Sequence, residues 1–259
     1  MPEGRSDGIP GVVTKAAPAH ITTALAPPHH FFATSTLPCP YVDGQHERKL
    51  VVELFGHDAP DFYNNLSRAG FRRSHSLAYR PACVGCERCV PVRIPVAAFV
   101  ERRSLRRIRN LNRDLDAGAG VARADHDQFR LFQRYQRSRH AESDMAAMTY
   151  TDYRAMVEDT PLTTALVRLR DRDGMLHGAC LADLLDDGVS AVYSFYDPAE
   201  SKRGLGTMLI LSLVDEARRR HLPYVYLGYW IAESPKMGYK ARFRPLEALQ
   251  AEGWRQILT

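Results

Sequence analysis

The period of apolar and polar positions changes repeatedly along this chain, and each change marks an element. Residues 31–34 (FFAT) and 50–55 (LVVELF) are short runs with the bulky, β-branched make-up of strands. Residues 38–41 (PCPY) between them read as a turn. Residues 61–69 (DFYNNLSRA) read as a helix, with Asp61 placed to cap it and Gly70 to stop it. Residues 90–96 (VPVRIPV) form an extended segment whose prolines predict a sheet edge. Over 104–115 the period becomes helical: Leu105, Ile108, Leu111 and Leu115 fall on one face, and the arginines on the other. Gly118 and Gly120 are expected to end that element. The second half predicts helices over 125–139 and 151–158, then strands over 165–170, 178–185 and 189–196. Gly174 and Asp186-Asp187-Gly188 supply the turns. A helix over 204–220 ends on Arg218-Arg219-Arg220, which suits its negative dipole end. A strand at 224–227 and a closing helix near Glu247 complete the pattern.

Strands interleaved with helices predict a mixed α/β (α+β) architecture. The expected organisation is a tail over 1–30, an N-terminal domain over 31–124 and a C-terminal domain over 125–259. The first 30 residues are rich in Pro, Gly and Ala without period, so they read as a disordered tail whose His20, His29 and His30 are solvated. No stretch nears the roughly 18 apolar residues of a membrane helix, and no apolar run follows the N-terminal charges. A cytoplasmic location is therefore expected. The net charge of +5 alone favours an anionic partner only weakly. Its distribution says more. Arg102, Arg103, Arg106, Arg107, Arg109 and Arg113 crowd one helical face with only Glu101 and Asp114 nearby, which predicts a track for nucleic-acid phosphates.

Three of the five cysteines stand in Cys83-Val84-Gly85-Cys86-Glu87-Arg88-Cys89. That spacing lets three thiolates converge from one loop, with Gly85 permitting the turn and Cys39 as the obvious fourth ligand. Zinc and an iron–sulfur cluster both suit such a set. Cys180, inside a strand, reads as a core residue.

Several segments, in order, then resemble one family. They are Pro38-Cys39-Pro40-Tyr41, Gly70-Phe71-Arg72-Arg73-Ser74, Tyr79-Arg80-Pro81-Ala82-Cys83 and Cys89-Val90-Pro91-Val92-Arg93. Residues 190–198 (SAVYSFYDP), 226–231 (YLGYWI) and 236–245 (KMGYKARFRP) continue the likeness. Together they resemble the arginyl-tRNA–protein transferases, from about Phe31 to Leu249, and within them the short bacterial branch that transfers leucine. The resemblance implies an aminoacyltransferase with a C-terminal domain of the acetyltransferase (GNAT-like) fold and a smaller cysteine-containing N-terminal domain. It implies leucyl-tRNA as donor, proteins beginning with Asp or Glu as acceptors, and an N-end rule role in marking proteins for degradation. DNA and membranes are not expected partners.

Acyl transfer from an aminoacyl-tRNA is attack of an amine on an ester. An α-amino group with a pKa of about 8 needs only modest base help, and His140 is the candidate base. An acidic acceptor end calls for cations. Lys236, Lys240 and Arg242, with Tyr239 between them, are the candidates, joined by Arg80 and Arg93 beside the cysteine loop. Tyr193 and Ser194 on the central strand complete the expected substrate contacts. A coenzyme-A-dependent N-acetyltransferase is the main rival. It needs a loop of the form R/Q-x-x-G-x-G/A at a helix start, and Ser201-Lys202-Arg203-Gly204-Leu205-Gly206 has its glycines without its lead residue; no coenzyme A is expected. A non-catalytic nucleic-acid-binding zinc module is the second rival, and a single cysteine run argues against it.

Overall fold

A computed structural model describes residues 28–257 of the chain. Most of the expected tail therefore lies outside the described residues, His20 included. His29 does not behave as a linker residue: its ring stacks on Phe62 at 3.8 Å and its Nε2 lies 3.4 Å from Asp58. The neighbouring aromatics Phe55 and Phe62 give the imidazole a surface to cover.

Fourteen strands and five α-helices build three sheets among the described residues. The first half supplies β1 (Phe31–Ala33), β2 (Leu37–Pro38), β3 (His46–Glu47), β4 (Lys49–Glu53), α1 (Ala59–Arg68), β5 (Arg72–Ser74), β6 (Leu77–Pro81), β7 (Val90–Pro95), α2 (Arg103–Leu111) and β8 (Asp116–Val121). The second supplies α3 (His126–Arg139), α4 (Tyr150–Glu158), β9 (Thr164–Arg170), β10 (Leu176–Leu184), β11 (Gly188–Tyr196), α5 (Leu205–Arg219), β12 (Tyr224–Trp230), β13 (Leu246–Gln250) and β14 (Gly253–Ile257). The main sheet has eight strands in the order β14-β13-β7-β12-β11-β10-β9-β8, and a four-stranded sheet has the order β1-β4-β6-β5. The main sheet thus takes β7 and β8 from before residue 125.

Alternating side chains place helices on both faces of the main sheet. Val167, Leu169, Cys180 and Ala182 face α5, against Leu209, Leu213 and Val214. Leu166, Ala179, Leu181 and Phe195 face α3 and α4, against Leu131, Phe132 and Tyr153. Cys180 is buried, as its strand position predicts. Asp125 caps α3 through a reciprocal bond with Gln128, and Thr149 caps α4 in the same way with Asp152. The mixed α/β class matches the sequence pattern.

Five local expectations are corrected. α1 starts earlier, at Ala59, and Asp58 rather than Asp61 precedes it. β7 is interior rather than an edge: it pairs with β12 on one side and β13 on the other. Its prolines survive there because β13 pairs only with Val92 and Arg93, between Pro91 and Pro95. The arginine helix stops at Leu111, which is 46% exposed, so only Leu105 and Ile108 pack beneath it. Gly118 and Gly120 lie inside β8, an edge strand of small residues. The segment around Glu247 is a hairpin, β13–β14, not a helix.

Candidate functional site

β11 and β12 are joined through α5 and pair in parallel, yet the pairing covers only three registers, from Gly188↔Tyr224 to Ser190↔Tyr226. Both strands run on, to Tyr196 and Trp230, so beyond that point they part. Arg72 from β5 occupies the parting. Its Nη2 donates to the carbonyl oxygens of Ala191 and Val192 on β11, at 2.7 and 3.0 Å. On the β12 side stands Gly228, at φ +72° in a bulge of the β7–β12 ladder. A Cβ there would fall 1.3 Å from Arg72 Nη1, so only glycine leaves room for the guanidinium. The neighbouring Arg73 points the other way and makes a fully buried pair with Asp183, Nη2 to Oδ1 at 2.7 Å.

Lys240 stands in the short 3-10 helix Gly238–Arg242, close enough to Arg72 of β5 to feel its charge. It is 7% exposed, and its Nζ donates to the carbonyl oxygen of Tyr229. Burial, and after it the charge of Arg72, lower its ammonium to about 7. The Tyr229 hydroxyl lies 3.0 Å from the carbonyl oxygens of Gly70 and Tyr79, which binds the two sheets together at this point. Tyr239, next to Lys240, is 40% exposed.

The other expected acid-binding residues are placed differently. Arg93 is committed: it donates to Glu247 at 2.8 Å and to the Tyr226 hydroxyl at 3.2 Å, with its guanidinium 3.5 Å over the Tyr224 ring. Arg80 is exposed, 3.3 Å from the Ala69 carbonyl oxygen. Lys236 is exposed near His140, whose pKa is lowered first by burial and then by Lys236 and Arg139. His140 itself ends α3 and is exposed, edge-on to Tyr135 at 5.8 Å. On β11, the Tyr193 hydroxyl accepts from Gln136 Nε2 at 2.7 Å, and half-buried Ser194 sits opposite Cys180.

Arg242 belongs elsewhere. It lines an open groove of about 1220 Å³ together with Arg103, Arg106, Arg107, Arg113 and Lys202. Three separate segments thus contribute exposed cations to one surface. Arg102 precedes α2 and does not line the groove, and Arg109 turns from it to Glu101 and Asp215.

Cys39, Cys83, Cys86 and Cys89 line a single cavity of about 1040 Å³ beside Tyr229 and Arg80. Burial, followed by the nearness of the other three thiols, pushes Cys89 up to about 11. Four thiols in one cavity are a suitable donor set, but their arrangement falls short of a ligand shell. Among the described residues no group of three or more His, Cys, Asp or Glu side chains is disposed to hold a metal ion. Cys83 Sγ instead accepts from the Arg48 N–H at 3.5 Å.

The glycines before and within α5 are accounted for by packing. A Cβ on Gly204 would meet Ile108 of α2 at 2.6 Å, and one on Gly206 would meet Tyr196 at 2.9 Å. Sequence reasoning missed Arg72 as a site residue, although it stands in the GFRRS motif. Two adjacent arginines on a strand must face opposite ways, and only the fold shows which one finds an acid.

No helix among the described residues is long and apolar enough to cross a membrane. The N-terminal model of the arginine-tRNA-protein transferases matches residues 37–107, and the C-terminal model residues 127–250. Over 233 residues the chain is 58% identical to an aspartate/glutamate leucyltransferase of Paramagnetospirillum magneticum, covering 90% of this chain and 96% of that one. A protein of the same name from Rhodospirillum rubrum is 54% identical over 228 residues, covering 88% and 93%. Among solved structures the chain is distantly similar to L-PGS from Bacillus licheniformis, at 10% identity and a TM-score of 0.43, covering 69% of this chain and 52% of that one.

Proposed function

The chain belongs to the arginine-tRNA-protein transferase family, and from that footing we propose that it transfers leucine from leucyl-tRNA to proteins beginning with Asp or Glu. The names of relatives that span nearly the same length support this reading. One structural observation carries it. A groove of exposed cations from α2, the segment before α5 and the helix Gly238–Arg242 ends on the same short helix that buries Lys240. Arg242 faces the groove and Lys240, two residues earlier, faces the parting of β11 and β12.

In this reading Arg103, Arg106, Arg107, Arg113, Lys202 and Arg242 hold donor phosphates, and the aminoacyl end reaches the parted strands. The acceptor's α-amine attacks the leucyl carbonyl carbon; a C–N bond forms, the ester C–O bond breaks, and the tRNA hydroxyl leaves with the proton the amine gives up. His140, whose pKa is lowered by burial and by the charges of Lys236 and Arg139, is the side chain available to relay that proton. Lys240 and Tyr239 face the acidic end, while Tyr193 and Ser194 line the strand beside it. Lys236 and Arg80 contribute exposed positive charge. Were Cys39, Cys83, Cys86 and Cys89 to close into a ligand shell, they would hold a zinc ion or iron–sulfur cluster that clamps the loop from Cys83 to Cys89. The reaction belongs to the cytoplasm, where charged tRNA is found, and its product carries a leucine that marks it for N-end rule degradation.

A transfer assay tests this directly. With radiolabelled leucyl-tRNA and arginyl-tRNA offered against peptides beginning Asp, Glu or Lys, label should pass from leucyl-tRNA to the Asp and Glu peptides alone. Transfer of arginine instead, or no new peptide bond, overturns the reading.

A further inference from the structure

We propose that Arg72 is the specificity-determining contact for the acceptor's side-chain carboxylate, with Lys240 as the second cation of the same pocket. The inference rests on the acceptor reading above and adds to it a residue, a geometry and a reason for rejecting amides.

The first argument is an imbalance of charge. Arg72 and Lys240 are neighbours, yet each is surrounded by neutral or weakly acidic groups. Arg72 has Tyr63, Tyr79, Tyr229 and Tyr239 around it, and Lys240 has Cys89 and Tyr239 besides Arg72 itself. Neither makes an ion pair among the described residues. One position along, Arg73 takes Asp183 with three hydrogen bonds of 2.7 to 3.1 Å. The fold therefore supplies an acid for one arginine of the pair and withholds it from the other. Enclosed cations without a counter-ion are costly, and the cost is recovered when an anion enters.

The second argument is preorganisation. Both backbone contacts of Arg72 use Nη2, and its Nε and Nη1 make no hydrogen bond among the described residues. The guanidinium is thus oriented while Nε–H and Nη1 stay free to give a carboxylate a charge-assisted bond. Gly228 gives up its side chain and adopts a left-handed backbone so that this group fits between the strands. An amide isostere brings no charge, so Asn and Gln leave the cations unrelieved. The site also differs from the phosphate groove, whose cations are exposed, whereas Lys240 is buried and Arg72 half-buried among tyrosines.

The test needs no donor. Binding of labelled peptides beginning Asp, Glu or Asn is followed by fluorescence anisotropy for the full chain, for Arg72→Gln and for Arg72→Lys. Deacylated tRNA is titrated in parallel, and thermal melting monitors folding. The unaltered protein should bind the Asp peptide about tenfold or more tighter than the Asn peptide, as expected for charge-assisted bonds at an enclosed site. Arg72→Gln should erase most of that preference with tRNA affinity unchanged. Arg72→Lys, which keeps the charge without the strand-anchored guanidinium, should fall between them, and it decides the matter if the Gln variant does not fold. A preference undiminished in a folded Arg72→Gln or Arg72→Lys, equal loss for both peptides, or loss of tRNA affinity with peptide preference intact overturns the proposal. So does an unaltered protein that binds Asp and Asn peptides equally. Failure of the transfer reading would show in the leucyl-tRNA assay instead, whatever these affinities are.

Discussion

His177 shows how single residues hold the segment leading into α5. Its Nδ1 lies 2.7 Å from Glu200 and its Nε2 2.9 Å from Asp171. Glu200 in turn accepts from Arg203, which also donates to Asn112 at 2.9 Å. Burial alone would lower the imidazole pKa, but the two carboxylates outweigh it and the net shift is upward, while Asp171 is lowered chiefly by its bond to His177. A raised folded pKa means the charged imidazole stabilises the fold fully below its ordinary 6.5, and that this is lost as pH rises through the folded value. His177→Gln should therefore cost about 1–2 kcal/mol in urea unfolding at pH 6, with the gap to the unaltered protein closing by pH 9. A gap that is constant across pH would show that the bonds do not depend on charge. At this scale the sequence is legible in part. Lys240 stands out as a cation between aromatics, but the commitment of Arg93 to Glu247 joins residues 154 positions apart, and no local signal announces such a partner.

The helix α2 makes the same point one level up. Its amphipathic period and its arginines are evident in the sequence, yet the period does not say which arginines are free. Arg109 is held by Glu101 and by Asp215 on α5, whereas Arg106 and Arg107 line the open groove. The two kinds should respond oppositely. Arg106→Glu with Arg107→Glu should weaken tRNA binding by about tenfold or more and flatten its salt dependence, since each lost phosphate contact removes nearly one unit of slope. Melting should hardly change. Arg109→Ala should instead lower stability, by about 1 kcal/mol for a half-exposed network, with a smaller effect on tRNA. Equal salt slopes before and after the charge reversal would remove the groove from donor binding. Elements with a strong period, such as α3, α5 and β9 to β11, can be read from their residues alone. β8 cannot, because Asp-Ala-Gly-Ala-Gly-Val has neither bulk nor alternation and is a strand only through its ladder to β9. β13 and β14 fail for a related reason: a helix-compatible run such as LEALQ becomes a strand when β7 offers it an edge.

Across the whole molecule, the position of the site depends on how the four-stranded sheet is fixed to the eight-stranded one. Arg73 on β5 reaches Asp183 on β10, both side chains fully buried, and this pair stands beside Arg72 at the parted strands. Arg68 on α1 adds partly exposed contacts to Asp186 and Asp187 in the β10–β11 turn. The buried pair matters most, because removing one partner strands a charge in the interior. Arg73→Met should cost about 3–5 kcal/mol in chemical denaturation. Adding Asp183→Leu should recover most of that, since a well-packed apolar pair can match a buried ion pair once neither charge is left alone. Function separates the two roles the pair plays. If Arg73–Asp183 serves stability alone, the stable double variant transfers leucine normally. If it also fixes the strand on which Arg72 sits, the double variant folds but raises the KM for Asp-starting acceptors, and leaves the KM for leucyl-tRNA unchanged. The second outcome is expected. Arg72 and Arg73 share three residues of strand, and a guanidinium placed to meet a carboxylate loses its geometry when the next residue along is no longer held.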